Sequence, residues 1–197
     1  MKLPPQFYLN KDVVMVAREL IGKVLCVADK EGTLSGIITE TEAYNGIIDK
    51  ASHAYGGRNT ARTAVMFGEG GHAYVYLCYG IHRLFNVVTN FQGIPHAVLI
   101  RSIIPLDRAA IQLKRRNAPH PFKGFDGPGK VTSSLNIGLN DNGVSLVGER
   151  IWIEDRNIKI DSKNVDVTAR IGVEYAGEDA LLPYRFVVKN GRQLVNY

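Results

Sequence analysis

Two carboxylates precede an aromatic ring in the run Ile37-Ile38-Thr39-Glu40-Thr41-Glu42-Ala43-Tyr44. Alternation along an extended strand sends Glu40, Glu42 and Tyr44 to one side and Thr39, Thr41 and Ala43 to the other. A carboxylate two residues from an aromatic ring can set a water-activating base beside a surface on which a flat ligand stacks. Taken alone, the stretch reads as an edge strand with solvent-facing Glu side chains and a Tyr at its rim, because strand Glu residues are mostly exposed.

Further chemistry-bearing residues follow. His53-Ala54-Tyr55-Gly56-Gly57-Arg58-Asn59-Thr60-Ala61-Arg62 combines aromatic, cationic and glycine positions. Ala73-Tyr74-Val75-Tyr76-Leu77-Cys78-Tyr79-Gly80 places three tyrosines in six residues. Arg58, Arg62, Arg83, Arg101 and Lys130 punctuate this middle region, and Gly127-Pro128-Gly129-Lys130 opens a helix. A helix start carrying Lys is either a phosphate site or ordinary helix initiation, and local sequence does not separate the two. The glycines match no dinucleotide or P-loop fingerprint. His72, His82, His96 and His120 lack metal-ligand spacing, so no metal is expected. Cys26 and Cys78 sit in apolar strand-like runs and read as small core residues.

The elements that must position these groups follow from periodicity. Asn10 caps a helix over Lys11 to Ile21. Lys23 to Ala28 and Leu34 to Tyr44 form a hairpin. Ile47 to Gly71 is a long functional loop. Ala73 to Gly80, Ile81 to Thr89 and Ala97 to Ile104 are strands. Leu106 to Arg116 is a helix whose basic end, Lys114-Arg115-Arg116, is solvated, and Asn117 to Phe125 is a loop. Val131 to Ile137 is a short helix. Ser145 to Asp155 is a strand pair around Gly148, Asp161 to Asp166 a polar turn, and Val167 to Tyr175 and Tyr184 to Lys189 are closing strands.

With 197 residues, 45% hydrophobic and 22% charged, the chain has the composition of one ordinary globular domain. No apolar run is long enough to span a bilayer, and the N-terminus lacks a signal-peptide stretch, so cytoplasmic residence is expected, at the nucleoid in a bacterium. The net charge of +5 favours acidic partners, nucleic acid first.

Together these runs resemble the alkyladenine (3-methyladenine) DNA glycosylase family of mammalian-type fold. The resemblance is carried by Glu40 to Tyr44, His53 to Arg62, Met66-Phe67, Tyr74 to Gly80, Asn86, Leu99-Ile100-Arg101, Gly127 to Lys130 and Arg170-Ile171-Gly172-Val173, in the same order over most of the chain. It implies an α+β fold, a single mixed domain over residues 1–197 with a curved antiparallel sheet flanked by helices and long loops. It implies a monofunctional hydrolase of the N-glycosidic bond of damaged purines (3-methyladenine, 7-methylguanine, hypoxanthine, ethenoadenine) in double-stranded DNA. A monomer without cofactor is expected. By the same resemblance Glu42 is the general base and Arg101 holds it ionised. Tyr44, Tyr76 and His53 sandwich the flipped base, Asn86 rejects guanine's amine, and the Ile171 carbonyl completes the water site. Tyr79 is the wedge entering DNA, and Arg58, Thr60 and Lys130 contact phosphates. Parity adds that Tyr76 and Tyr79, three apart, would point to opposite faces of a regular strand. Glu40 is assigned a structural hydrogen bond beneath the site. The competing readings are a nucleic-acid-binding module without catalysis and a hydrolase of free nucleosides.

Overall fold

The computed structural model describes residues 1–189. Eight strands, β1 (Val24–Asp29), β2 (Gly32–Tyr44), β3 (Ala73–Cys78), β4 (His82–Thr89), β5 (His96–Pro105), β6 (Ile151–Glu154), β7 (Val165–Thr168) and β8 (Arg185–Val188), form one curled antiparallel sheet. Its main path runs β3-β4-β5-β2-β1-β6, and β7 joins through β8, which pairs with β2. Four helices accompany it: α1 (Pro5–Tyr8), α2 (Val13–Glu19), α3 (Ala109–Arg116) and α4 (Pro128–Leu135). The fold is α+β, as expected from the sequence. Among the described residues no helix is long and apolar enough to cross a membrane.

Strand β2 is the axis of the molecule. Its first half pairs with β1, and at Glu40, Thr41 and Glu42 the same edge is taken over by β8. Strand β5 runs along the other edge, with a register that steps from Ile38↔Ile103 to Glu40↔Ser102 and then to Thr41↔Ile100. Thr39 and Arg101 therefore lack directly opposite partners, and such bulges re-aim side chains. One side of β2 faces the core, where Thr41 donates to the Ala17 carbonyl of α2 at 2.8 Å and Ala43 is buried. The other side carries Glu40, Glu42 and Tyr44. The edge-strand reading of this run is wrong. Glu40 is 8% and Glu42 0% exposed, because β5, β8 and the 170–173 loop enclose them.

The core joins the inner side of the sheet (Leu25, Ile38, Phe85, Val98, Ile100) to α2 through Val13, Val16 and Ala17 and to α4 through Val131 and Leu135. Helix α2 begins two residues later than expected. Asp12, not Asn10, accepts from the Val14 and Met15 amides at 2.9 and 3.0 Å, a cap worth about 1 kcal/mol.

Other expectations are corrected. Residues 47–71 are not featureless but carry short 3₁₀ turns at Tyr55–Gly57 and Ala64–Phe67. Ser145 to Asp155 holds one strand, β6, with only an isolated bridge at Ser145. The polar turn gives way to β7 at Val165, which ends at Thr168, so Val167 to Tyr175 is not a strand. Arg170 to Val173 is a loop, followed by a 3₁₀ segment, Glu174–Leu181. Helix α3 starts at Ala109, and its basic end is not simply solvated. Arg115 pairs with Asp29 at 3.1 Å, and Arg116 bonds Ser133.

Candidate functional site

A cavity of about 520 Å³ opens where β2, β3, β4 and β5 meet the loops around His53 and Ile171. Tyr44, His53, Arg62, Tyr74, Tyr76, Asn86, Arg101 and Ile171 line it, while Tyr79, His82 and Lys130 stand toward its mouth-forming segments. Its size is that of an ordinary small-molecule pocket.

Glu42 is fully buried in its wall. Oε1 accepts the Ile171 amide at 2.8 Å, and Oε2 accepts the Tyr44 hydroxyl at 2.9 Å and Arg101 Nη1 at 3.2 Å. A carboxylate offers about four lone-pair positions, so three donors leave one open, on Oε1. Burial raises the Glu42 carboxyl above the ordinary range, while Arg101, the Ile171 amide and Tyr44 counter that rise. A carboxylate so held keeps its charge available, has restored basicity, and can accept one proton from a water.

Arg101 reaches two acids because its bulge turns it between them. Nε donates to Glu40 Oε1 at 3.0 Å while Nη1 reaches Glu42. Glu40 also accepts from Arg185 Nε at 2.7 Å. Burial works against the Arg101 charge, but Glu42 and Glu40 outweigh it and hold the guanidinium above its ordinary value. Glu40 thus anchors Arg101 from beneath, in the structural place assigned to it from the sequence.

The aromatic wall is made by His53, Tyr74 and Tyr76. His53 meets Tyr76 edge-on at 4.7 Å between centroids, and Tyr74 lies 5.2 Å from Tyr76. Burial, with Arg62 and Arg58 adding to it, pushes His53 down to about 4, so its ring is neutral at pH 7. Arg62 lies 3.4 Å from Nε2. A guanidinium only donates, so Nε2 accepts and Nδ1 carries the proton given to the Tyr74 hydroxyl at 2.9 Å. Asn86 is buried and donates to the Tyr74 carbonyl at 3.1 Å.

Three further placements differ from expectation. The parity argument for Tyr79 fails because β3 ends at Cys78. Tyr79 sits in the turn with a left-handed φ of 50° and is 90% exposed, directed by the turn rather than by strand alternation. Cys78 is half-buried and lines the cavity instead of the core. Ile171 meets Glu42 through its amide, not its carbonyl. Arg58 and Thr60 are exposed and outside the cavity lining, with Thr60 bonded to Thr63, and Lys130 is paired with Asp126 at 3.0 Å.

Sequence reasoning passed over Arg62, whose guanidinium lies 4.7 Å over the Tyr76 ring, and Tyr74, Arg185 and the Asp49–Arg170 pair. Arg62, Tyr74 and Arg170 stand inside the quoted motifs, which was their only signal. Among the described residues no group of three His, Cys, Asp or Glu side chains could hold a metal ion.

Comparison with known proteins agrees with this arrangement. The family described as Methylpurine-DNA glycosylase (MPG) matches residues 6–192. A Chlamydia felis protein named "Putative 3-methyladenine DNA glycosylase" is 47% identical over 188 residues, covering 94% of this chain and 95% of its own. Relatives of the same name from Bacillus cytotoxicus (42% identical, 96% and 97% covered) and Desulfitobacterium hafniense (38% identical, 97% of each) match over 199 residues.

Proposed function

The chain belongs to the methylpurine-DNA glycosylase family and is a DNA N-glycosylase that excises damaged bases, and on that premise we propose that its substrates are damaged purines in duplex DNA: 3-methyladenine, 7-methylguanine, hypoxanthine and ethenoadenine. The observation that carries this reading is the buried Glu42, with one lone-pair position left open, in the wall of an aromatic cavity sized for a base.

The glycosidic bond is hidden within a duplex, so the nucleotide must be flipped out at a cost of a few kcal/mol, less for a damaged pair. Tyr79, exposed beside the cavity, is suited to fill the gap left in the stack. The base enters between Tyr44 and the Tyr76–His53 wall. Neutral purines gain from stacking on rings held in place, and a lesion carrying positive charge gains further from the aromatic faces. Asn86, buried at the inner end, crowds the edge where guanine carries its exocyclic amine. Arg58, Thr60 and Lys130 hold the flanking phosphates.

Glu42 then takes a proton from a water that attacks C1′, and the C1′–N bond breaks with its electron pair going to the base. The anionic environment of Glu42 also stabilises the oxocarbenium-like sugar. Arg101 keeps Glu42 ionised, and the Ile171 carbonyl helps hold the water. The products are the free base and an intact abasic site, because the nucleophile is water and no amine is presented to the sugar. The protein acts as a monomer.

A duplex carrying one hypoxanthine, treated with protein and then alkali, should be cleaved at the lesion, while free inosine should remain intact. Inosine hydrolysis without duplex cleavage would favour a nucleoside hydrolase. Duplex binding without cleavage would favour a binding module. Either would overturn the reading.

A further inference from the structure

The Asp49–Arg170 pair lies outside every role assigned so far. Its side chains are 1% and 0% exposed. Arg170 Nη1 donates to Asp49 Oδ2 at 2.5 Å and Nη2 to Oδ1 at 2.9 Å, a two-pronged contact. The same guanidinium donates to the carbonyls of Ala43 at 2.9 Å and Asp179 at 3.0 Å. Asp49 in turn accepts the amides of Asn45 at 2.9 Å and Ala51 at 3.0 Å. One ion pair therefore ties the end of β2, the loop after it, the 170–173 loop and the segment at Asp179.

Burying such a pair is expensive, and apolar residues of similar volume are often as stable or more so. Stability alone does not account for it, but its position does. Its guanidinium carbon lies 4.9 Å from the Tyr44 ring centroid, packing the stacking ring from within the protein. The next residue in the chain, Ile171, gives its amide to Glu42. A single pair thus sets both the ring that receives the base and the donor that faces the carboxylate.

We propose that Asp49–Arg170 is a positioning latch, which fixes the Ile171 amide on Glu42 and the plane of Tyr44 and so tunes the carboxylate for water activation. This inference rests on Glu42 being the base. Glu42 is faced by Arg101 from β5, by Glu40 and Tyr44 of its own strand, and by Arg170 and the Ile171 amide from the loop. Arg185 of β8 is held on Glu40. Of these, the amide is the donor that depends on the latch.

The test is the pH profile of single-turnover hypoxanthine excision in Asp49→Leu/Arg170→Met, which removes both charges and keeps volume, and in Arg170→Lys, which keeps the charge and loses the fork. Denaturant midpoint and duplex affinity are measured alongside. The double variant should stay folded and bind the duplex, with the acid limb of its profile moved up by about one pH unit, the scale of one hydrogen bond to a charged group. The rate on that limb should fall about tenfold, and the alkaline plateau less. Arg170→Lys should move the limb in the same direction by less. A folded double variant with the wild-type limb overturns the latch, and, if the double variant does not fold, so does Arg170→Lys with the wild-type limb. Glu42→Gln separates the two claims. If it excises at the wild-type rate with the same acid limb, the reading of Glu42 as base has failed, whatever the latch variants do.

Discussion

The Tyr44 hydroxyl donates to Glu42 Oε2 at 2.9 Å, so the stacking ring and the carboxylate it adjoins are one hydrogen-bonded unit. Tyr44→Phe keeps the ring and removes the donor. The hydroxyl holds the Glu42 carboxyl down, so its loss raises that carboxyl, and the base form is then lost at a higher pH as the solution is acidified. Single-turnover excision should fall on the acid side, while affinity for lesion duplex stays within a few-fold of wild type. An unchanged acid limb would detach Tyr44 from the ionisation of Glu42.

The same carboxylate bears on stability. Burial raises the Glu42 carboxyl above its ordinary value in the folded protein. The folded state therefore binds this proton more tightly than the unfolded chain, and the associated stability is present at low pH and lost as pH rises through the raised value. At neutral pH the buried charge is a net cost. Glu42→Gln should melt at a higher temperature than wild type at pH 7, with the difference shrinking as pH falls below the ordinary carboxylate range. A lower melting temperature at pH 7 would contradict this.

Tyr79 sits 90% exposed in a left-handed turn beyond β3. If it fills the gap left by a flipped nucleotide, Tyr79→Ala should weaken lesion-duplex binding by about 1–3 kcal/mol, the scale of one base–aromatic contact. Binding to the same lesion in single-stranded DNA should change much less. Equal losses on both would remove the wedge role.

Lys130 is paired with Asp126 at 3.0 Å. A Lys that neutralises one phosphate contributes roughly 0.9 to the slope of log affinity against log salt. Lys130→Met should lower the slope by about that amount, and Asp126→Asn, which frees the ammonium, should tighten binding at low salt. An unchanged slope in Lys130→Met would exclude a phosphate contact.

What the sequence made legible was local. The alternation of Glu40, Glu42 and Tyr44 held because a strand enforces it over three residues. Glu42, Tyr44, Arg101 and Ile171 came together as their motifs implied. The burial of the two Glu side chains was not legible, because it comes from β8 and the 170–173 loop, more than a hundred positions away. The same holds for Asp49–Arg170, separated by 121 positions. The bulges at Thr39 and Arg101 leave no signal in residue type, yet they let one guanidinium reach both acids. Tyr79 misled a parity argument because β3 ends one residue before it. The 169–175 segment was read as strand from its apolar residues, but its hydrogen bonds go to side chains and turns, including the amide given to Glu42.

The most direct measurement is single-turnover excision by Glu42→Gln on a hypoxanthine duplex, with the dissociation constant determined in parallel. Glutamine keeps the size of the side chain and removes its charge and basicity. The rate should fall by about 10²–10⁴-fold, the range of general-base catalysis. Affinity should hold or rise, because an anion near the DNA backbone has been neutralised. The loss should be smaller on 7-methylguanine, whose cationic base departs more readily. A folded Glu42→Gln protein that binds the duplex and excises hypoxanthine at the wild-type rate would contradict the account, and Glu40 would be the carboxylate to test next.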